Sequence, residues 1–218
     1  MKSPDISVVI TNHNYGTYIR RCLRSLINQE LDRNRYELII VDDHSTDDSL
    51  EAIKTFQGAG DVKIIVNKRN LGVGASSRIG VDHSRGKYFV RVDADDYVQP
   101  PFLSMLYNCL RFCPQYSGVS CDYFVTDNDE RVLSVESFRE KGLACGLMLR
   151  TSYLERIGSY SKKKKVFEDR FVRADRGSET VSLAGASLQL CEARQITDSS
   201  CKTAHQVDQQ PRDAPFCG

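Results

Sequence analysis

Long apolar runs are missing from this sequence. No stretch of the 218 residues approaches the roughly 18 consecutive apolar positions that a membrane-spanning helix needs. The N-terminus, Met1-Lys2-Ser3-Pro4-Asp5, lacks the apolar segment of a secretory leader. A charge of one sign is missing too. Thirty Lys and Arg against 29 Asp and Glu leave a net charge of +1, so no global field draws the chain to nucleic acid or to an anionic membrane. Paired cysteine motifs are also lacking. Cys109 and Cys113 lie four apart, with no second pair or nearby histidine to complete a zinc site. Cys22, Cys109, Cys121 and Cys145 fall inside apolar patterns and read as small buried hydrophobes. Reduced thiols suit the cytosol, and the chain is expected there.

What is present is an alternation of two periods. Ile6-Ser7-Val8-Val9-Ile10, Leu38-Ile39-Ile40-Val41, Val62-Lys63-Ile64-Ile65-Val66 and Lys87 to Val92 read as four strands. Ile19, Cys22, Leu23 and Leu26 fall at helical spacing, with Arg20, Arg21 and Arg24 on the other face. Ser45-Thr46-Asp47 supplies cap residues for a helix through Leu50, Ile53 and Lys54. Asn70-Leu71-Gly72-Val73-Gly74 opens a helix ending near Ser84-Arg85-Gly86, and Pro100-Pro101 starts another through Leu103, Leu106, Tyr107 and Leu110. Apolar strands alternating with helices imply an α/β fold, with a parallel sheet covered on both faces. Right-handed crossovers then give the strand order 3-2-1-4, with the switch point between strands 1 and 4.

Three polar clusters follow strands 1, 2 and 4: Thr11-Asn12-His13-Asn14, Asp42-Asp43-His44 and Asp93-Ala94-Asp95-Asp96. That order carries all three to one rim of the sheet, where ligands of such sheets bind. Three carboxylates within four residues repel one another unless a cation or a donor network holds them. A hard divalent ion, Mn2+ or Mg2+, bound through carboxylates and substrate phosphates is the usual solution. Asp93 and Asp95 can reach the metal and a neighbouring hydroxyl group. His13 offers a flat ring for stacking on a base, Asp42 an acceptor for a base N–H, and Asn14 a donor or an acceptor. A nucleoside diphosphate is the natural guest of such a rim.

Four segments make a resemblance specific: Ser7 to Asn14, Ile40 to Asp47, Asn70 to Ala75 and Arg91 to Asp96. In order and spacing they resemble the nucleotide-binding half of the family 2 glycosyltransferases, with the GT-A fold. The match is best over residues 6–110 and weaker to 169. The resemblance implies that Thr11, His13 and Asn14 contact the nucleoside. It implies that Asp42 hydrogen-bonds the base, with Asp43 beside it. Asp93-Ala94-Asp95 matches the family's Asp-x-Asp motif, the first Asp near the ribose and the last holding the metal, with Asp96 an alternative to Asp95. Where the family often shows Arg-Asn after the glycine turn, this chain has Ser77-Arg78. Arg78, or Lys68 and Arg69, is then the candidate phosphate contact. His13 stands where the family usually has Tyr. In the acceptor half, Val166-Phe167-Glu168-Asp169 matches the family's acidic pair, which makes Asp169 the expected general base and Glu168 the second candidate.

The resemblance implies a metal-dependent enzyme moving a sugar from a nucleoside-diphosphate sugar, a UDP-sugar first, to a saccharide or lipid-linked acceptor. Inversion at the anomeric carbon and a place in cell-surface polysaccharide synthesis follow from the same resemblance. Residues 1–112 form the nucleotide-sugar-binding half, 113–169 the acceptor-side half, and 170–218 an atypical, poorly ordered tail without a clear strand run. Within the acceptor half, Gly142 to Leu149 reads as a strand and Ser152 to Ile157 as a short helix. Lys162-Lys163-Lys164-Lys165 is a solvated loop, or a peripheral contact for an anionic acceptor or a lipid surface at the inner face of the plasma membrane.

Three rivals are weighed beside this. A dinucleotide oxidoreductase would use Gly72-Val73-Gly74-Ala75-Ser76-Ser77 as its phosphate turn. Five residues separate that turn from strand 3, and the third glycine is replaced by Ser77. A non-catalytic nucleotide-sugar binder is suggested by the tail. A nucleotidyltransferase would place a basic, glycine-rich loop where Thr11 to Asn14 stand.

Overall fold

The computed structural model describes residues 3–127, 129–137, 145–156, 180–183 and 190–193, the last two segments by backbone alone. Its centre is a run of parallel strands, β1 (Ile6–Asn12), β2 (Tyr36–Asp42), β3 (Val62–Val66) and β4 (Tyr88–Asp93). β1 pairs in parallel with both β2 and β4, and β2 with β3, so the order is the expected 3-2-1-4. Helices α1 (Gly16–Ile27), α2 (Ser49–Lys54) and α3 (Val73–Asp82) are the crossovers between successive strands. The short strand β5 (Asp96–Val98) and helix α4 (Phe102–Phe112) follow β4.

The alternation of side chains along each strand divides the core in two. Ile6, Val8 and Ile10 of β1, with Tyr36, Leu38 and Ile40 of β2, pack on Ile19, Leu23 and Leu26 of α1 and on Phe102, Leu103 and Leu106 of α4. Val9, Ile39, Val41 and Phe89 form the other face, with Tyr153 and Leu154 of helix α5 (Thr151–Arg156). α3 lies close on this side. A Cβ added at Gly80 would stand 2.3 Å from Val9 Cγ1, so the absence of a side chain at Gly80 is what lets α3 seat on β1.

At the end of the strands away from their carboxyl termini, Glu37 is buried. Its Oε1 accepts from Ser7 Oγ at 2.6 Å and from the Arg85 backbone N–H at 2.7 Å, and its Oε2 pairs with Arg85 Nη2 at 2.7 Å. This pins the turn between α3 and β4 under β1 and β2. Asp47 caps two helices at once. Its Oδ1 accepts from the Ser49 N–H at the start of α2, and its Oδ2 from the Gly16 N–H at the start of α1.

Beyond β4 the structure departs from the sequence expectation. The strand expected over 142–149 is narrower among the described residues. Cys145 and Gly146 form a turn, Gly146 having φ 74, and β9 covers only Met148–Arg150. β9 runs antiparallel to β4 and to β6 (Gly118–Cys121). β7 (Tyr123–Thr126) and β8 (Val132–Glu136) form an antiparallel pair in a second sheet. Two strands lie where no clear strand run was expected. β10 (Thr180–Leu183) pairs in parallel with β6, and β11 (Leu190–Ala193) lies between β5 and β7. The rest of 170–218 lies outside the described residues, as do Glu168, Asp169 and Lys162 to Lys165. Among the described residues no helix is long and apolar enough to cross a membrane. Cys22, Cys121 and Cys145 are buried free thiols, whereas Cys109 is only half-buried.

Candidate active site

A cleft opens at the carboxyl ends of β1 and β4, between Thr11, His13 and Tyr15 on one side and Asp93, Ala94 and Asp95 on the other. Asn12, Asp43, Val73 and Ser76 complete its lining, which brings the first turn of α3 to the rim. Parallel strands deliver these loops together because β1 is the shared neighbour of β2 and β4.

Of the residues expected to bind a nucleotide, Thr11, His13, Asp43 and Asp93 line the cleft, and so does Asp95 of the expected metal pair. Asp42, Asn14 and Arg78 do not. Asp42 is 1% exposed, and its Oδ1 accepts from Asn12 Nδ2 at 2.8 Å and from Ser45 Oγ at 2.6 Å. It ties β1 to the loop after β2. Asn14 (φ 59) does related work. Its N–H donates to Ser45 Oγ, and its Oδ1 accepts from the Thr46 N–H at 2.8 Å. Arg78 pairs with Asp82 one turn along α3 at 2.8 Å.

Asp43 is the carboxylate that faces the cleft from the β2 side. Its Oδ1 accepts from Asn67 Nδ2 and the Leu71 N–H, and its Oδ2 from the Gly72 N–H at 2.7 Å. These three bonds use three of the roughly four acceptor positions of a carboxylate. Gly72, with φ 85, makes the backbone turn that presents both amides to Asp43. The His13 ring is fixed at both nitrogens. Nδ1 lies 2.8 Å from the Asp43 carbonyl, which only accepts, so Nδ1 carries the proton. Nε2 then accepts from Asn70 Nδ2 at 3.0 Å. The ring is thereby held as one wall of the cleft.

The acidic motif is sorted by its surroundings. Arg91 forms an ion pair with Asp93: its Nη2 donates to Oδ2 at 3.1 Å, and its Nε lies 2.9 Å from Oδ1 without hydrogen-bond alignment. Asp96 is buried, and Cys145 Sγ donates to its Oδ2 at 2.8 Å. The Asp93 N–H donates to the same sulfur at 3.4 Å. Burial, then the charges of Asp96 and Asp93, push the Cys145 thiol well above its ordinary value. Asp95 faces the cleft, and its charge, ahead of burial and of Asp93 and Asp96, raises the Tyr15 phenol.

Ligand atoms of Asp93, Asp96 and Cys145 lie within 4.8 Å of one another. A thiol held protonated beneath the motif fits a hard cation poorly. The carboxylate oxygens at the cleft fit Mn2+ or Mg2+ better, with substrate oxygens completing the shell. Tyr15, Arg91 and Cys145 are not among the site residues expected from the sequence. Arg91 carried a readable signal, being two residues before Asp93 on the same strand face. Cys145 carried none.

The sequence profile described as glycosyl transferase family 2 matches residues 7–171. The chain belongs to glycosyl transferase family 2. Among curated relatives, this family 2 chain is 31% identical over 125 residues to a chondroitin synthase of Pasteurella multocida, covering 57% of this chain and 12% of the relative. It is 34% identical over 105 residues to a poly(ribitol-phosphate) beta-glucosyltransferase of Bacillus spizizenii, covering 47% of this chain and 17% of the relative. The chain thus spans a small part of the length of these relatives. Among solved structures, Staphylococcus aureus TarS in complex with UDP-GlcNAc superposes with a TM-score of 0.72 at 18% identity, over 89% of this chain and 60% of that one. A mannosyltransferase from Pyrobaculum calidifontis in complex with GDP-Man and Mn2+ gives a TM-score of 0.72 at 17% identity, over 90% and 59%. The family 2 chain has the GT-A fold of these neighbours.

Proposed function

We propose that this chain is a metal-dependent glycosyltransferase that takes a sugar from a nucleoside-diphosphate sugar, a UDP-sugar first, and gives it to a saccharide or lipid-linked acceptor with inversion. The observation that carries the reading is one cleft lined by Thr11, His13 and Asp43 on the base side and by Asp93 and Asp95 on the phosphate side. His13 supplies a stacking face for the base. Asp43, in place of the expected Asp42, offers its remaining acceptor position to a base N–H. The first turn of α3, at Val73 and Ser76, faces the diphosphate with its positive end, the role first given to Arg78.

Asp95, with the diphosphate, would hold Mn2+ or Mg2+. When bound, the ion supplies charge stabilisation for the departing phosphate oxygen. Asp93 orients a donor hydroxyl group. Asp169, with Glu168 second, is proposed as the base that deprotonates the acceptor hydroxyl, general-base help being worth about 10²–10⁴ in rate. The structural neighbours in complex with UDP-GlcNAc and with GDP-Man support a nucleotide-sugar donor. The polysaccharide-synthesising relatives support a saccharide acceptor and a role in cell-surface polysaccharide synthesis. The cytosol, the source of nucleotide sugars, is the proposed place of action.

The dinucleotide reading is disfavoured by Gly72, whose N–H is already given to Asp43 and to Asn70 Oδ1. The test is a panel of UDP- and GDP-sugars assayed for nucleotide release with and without Mn2+. Metal-dependent release from one donor supports the proposal. Nucleotide-sugar binding without turnover supports a non-catalytic binder, and binding of NAD without metal supports the oxidoreductase.

A further inference from the structure

Arg91 is a buried cation in an apolar setting. Its side chain is 7% exposed. It shares a face of β4 with Phe89 and Asp93, because alternate residues of a strand point the same way. Below it on that face, Phe89 packs with Val9, Leu147, Leu149 and Tyr153. Taking a guanidinium out of water is expensive, and hydrophobic replacements of buried ion pairs are often as stable or more so. Stability of the sheet therefore gives little reason for a charge at this position. The geometry gives another. The guanidinium lies against both oxygens of Asp93, with one hydrogen bond from Nη2 to Oδ2 at 3.1 Å and an ion-pair contact from Nε to Oδ1 at 2.9 Å, and the Arg91 backbone carbonyl accepts from the Gly146 N–H at 2.9 Å.

We propose that Arg91 is a positioning residue for the donor. It fixes the Asp93 carboxylate in one orientation and withholds it from the cation, which then rests on Asp95. The motif's carboxylates thereby have separate tasks. Asp93 is held by Arg91, Asp96 is held beneath the cleft by the Cys145 thiol, and Asp95 meets the ion. This rests on the metal-dependent reading above and deepens it by naming Arg91 as the residue that keeps Asp93 apart from the ion.

The test compares wild type, R91M and R91K. Mn2+ binding is measured by electron paramagnetic resonance without nucleotide and with UDP, kcat and KM with a UDP-sugar, and folding by circular dichroism. R91M is expected to bind Mn2+ about fivefold more tightly, because a second carboxylate joins Asp95, and to lose about tenfold in kcat. R91K keeps the charge without the planar guanidinium. It is expected to bind Mn2+ as wild type does and to recover only part of the turnover. A folded R91M with unchanged or weaker Mn2+ binding overturns the proposal. If R91M does not fold, R91K decides, and full turnover there overturns it. Wild-type Mn2+ binding with an unaltered R91M sinks this proposal alone. No loss of the free Mn2+ signal with wild type or R91M, with UDP present as well as without it, sinks the metal reading as well.

Discussion

The Asp43 carboxylate accepts the backbone N–H of Gly72 at 2.7 Å, and this bond joins the end of β2 to the turn that opens α3. The wall proposed to meet the base and the helix end proposed to face the phosphates are therefore one mechanical unit. Asp43→Asn replaces an acceptor oxygen by an N–H donor, which must then face the Gly72 or the Leu71 amide. The expected cost is about 1–3 kcal/mol of stability, from an unsatisfied buried group. UDP affinity should fall at least about tenfold, the equivalent of about 1.4 kcal/mol. Chemical denaturation and calorimetry check the two numbers. A variant with weaker stability and unchanged UDP affinity would remove Asp43 from the binding site.

Glu37 and Arg85 lie at the opposite end of the strands. Arg85→Ala removes the two guanidinium bonds to Glu37, whose side chain is 2% exposed, and leaves a buried carboxylate with less compensation. Because the Arg85 side chain is 54% exposed and water can reach the vacated position, the expected cost is about 1 kcal/mol. UDP affinity is expected to stay at the wild-type level. Urea denaturation and a binding isotherm test the separation, and a parallel loss of both would contradict it.

The cysteines give a pH prediction. Burial, with Asp122 nearby, pushes the Cys121 thiol from 9.0 to about 12. The folded state holds this proton more tightly than the unfolded chain. The contribution to stability is therefore complete below about pH 9 and is lost as pH rises toward about 12. The thiolate is the reactive form. Cys22, Cys121 and Cys145 should resist alkylation at pH 8.5 in the native protein and react after unfolding, read peptide by peptide in a mass spectrometer. Labelling of native Cys145 at the unfolded rate would contradict the packing beneath Asp96.

How much of this was legible follows from the length scale of each signal. The continuous apolar runs Ile6 to Ile10 and Leu38 to Val41 mark strands buried on both faces, and crossover handedness then fixes their order. Strand order alone brings Thr11, His13, Asp93 and Asp95 to one rim. The choice between Asp42 and Asp43 was not legible. The two are adjacent, and only the hydrogen bonds of Ser45, Asn67 and Gly72 tell them apart. Arg78 could have been set aside, since Asp82 four residues on offers an ordinary helical ion pair. Cys145 reaches Asp96 across 49 residues through β9, a strand only three residues long, and no local pattern announces it. β6, β7 and β8 are likewise too short for a period to stand out.

The central claim is that Asp95 holds a cation that joins the diphosphate to this cleft. Isothermal titration of UDP, with and without Mn2+, into wild type and Asp95→Ala tests it most directly. The expected result is binding by wild type in Mn2+ only, loss of that binding in the variant, and the same melting temperature for both. UDP binding of equal strength without metal, or undiminished in a folded Asp95→Ala, would contradict it.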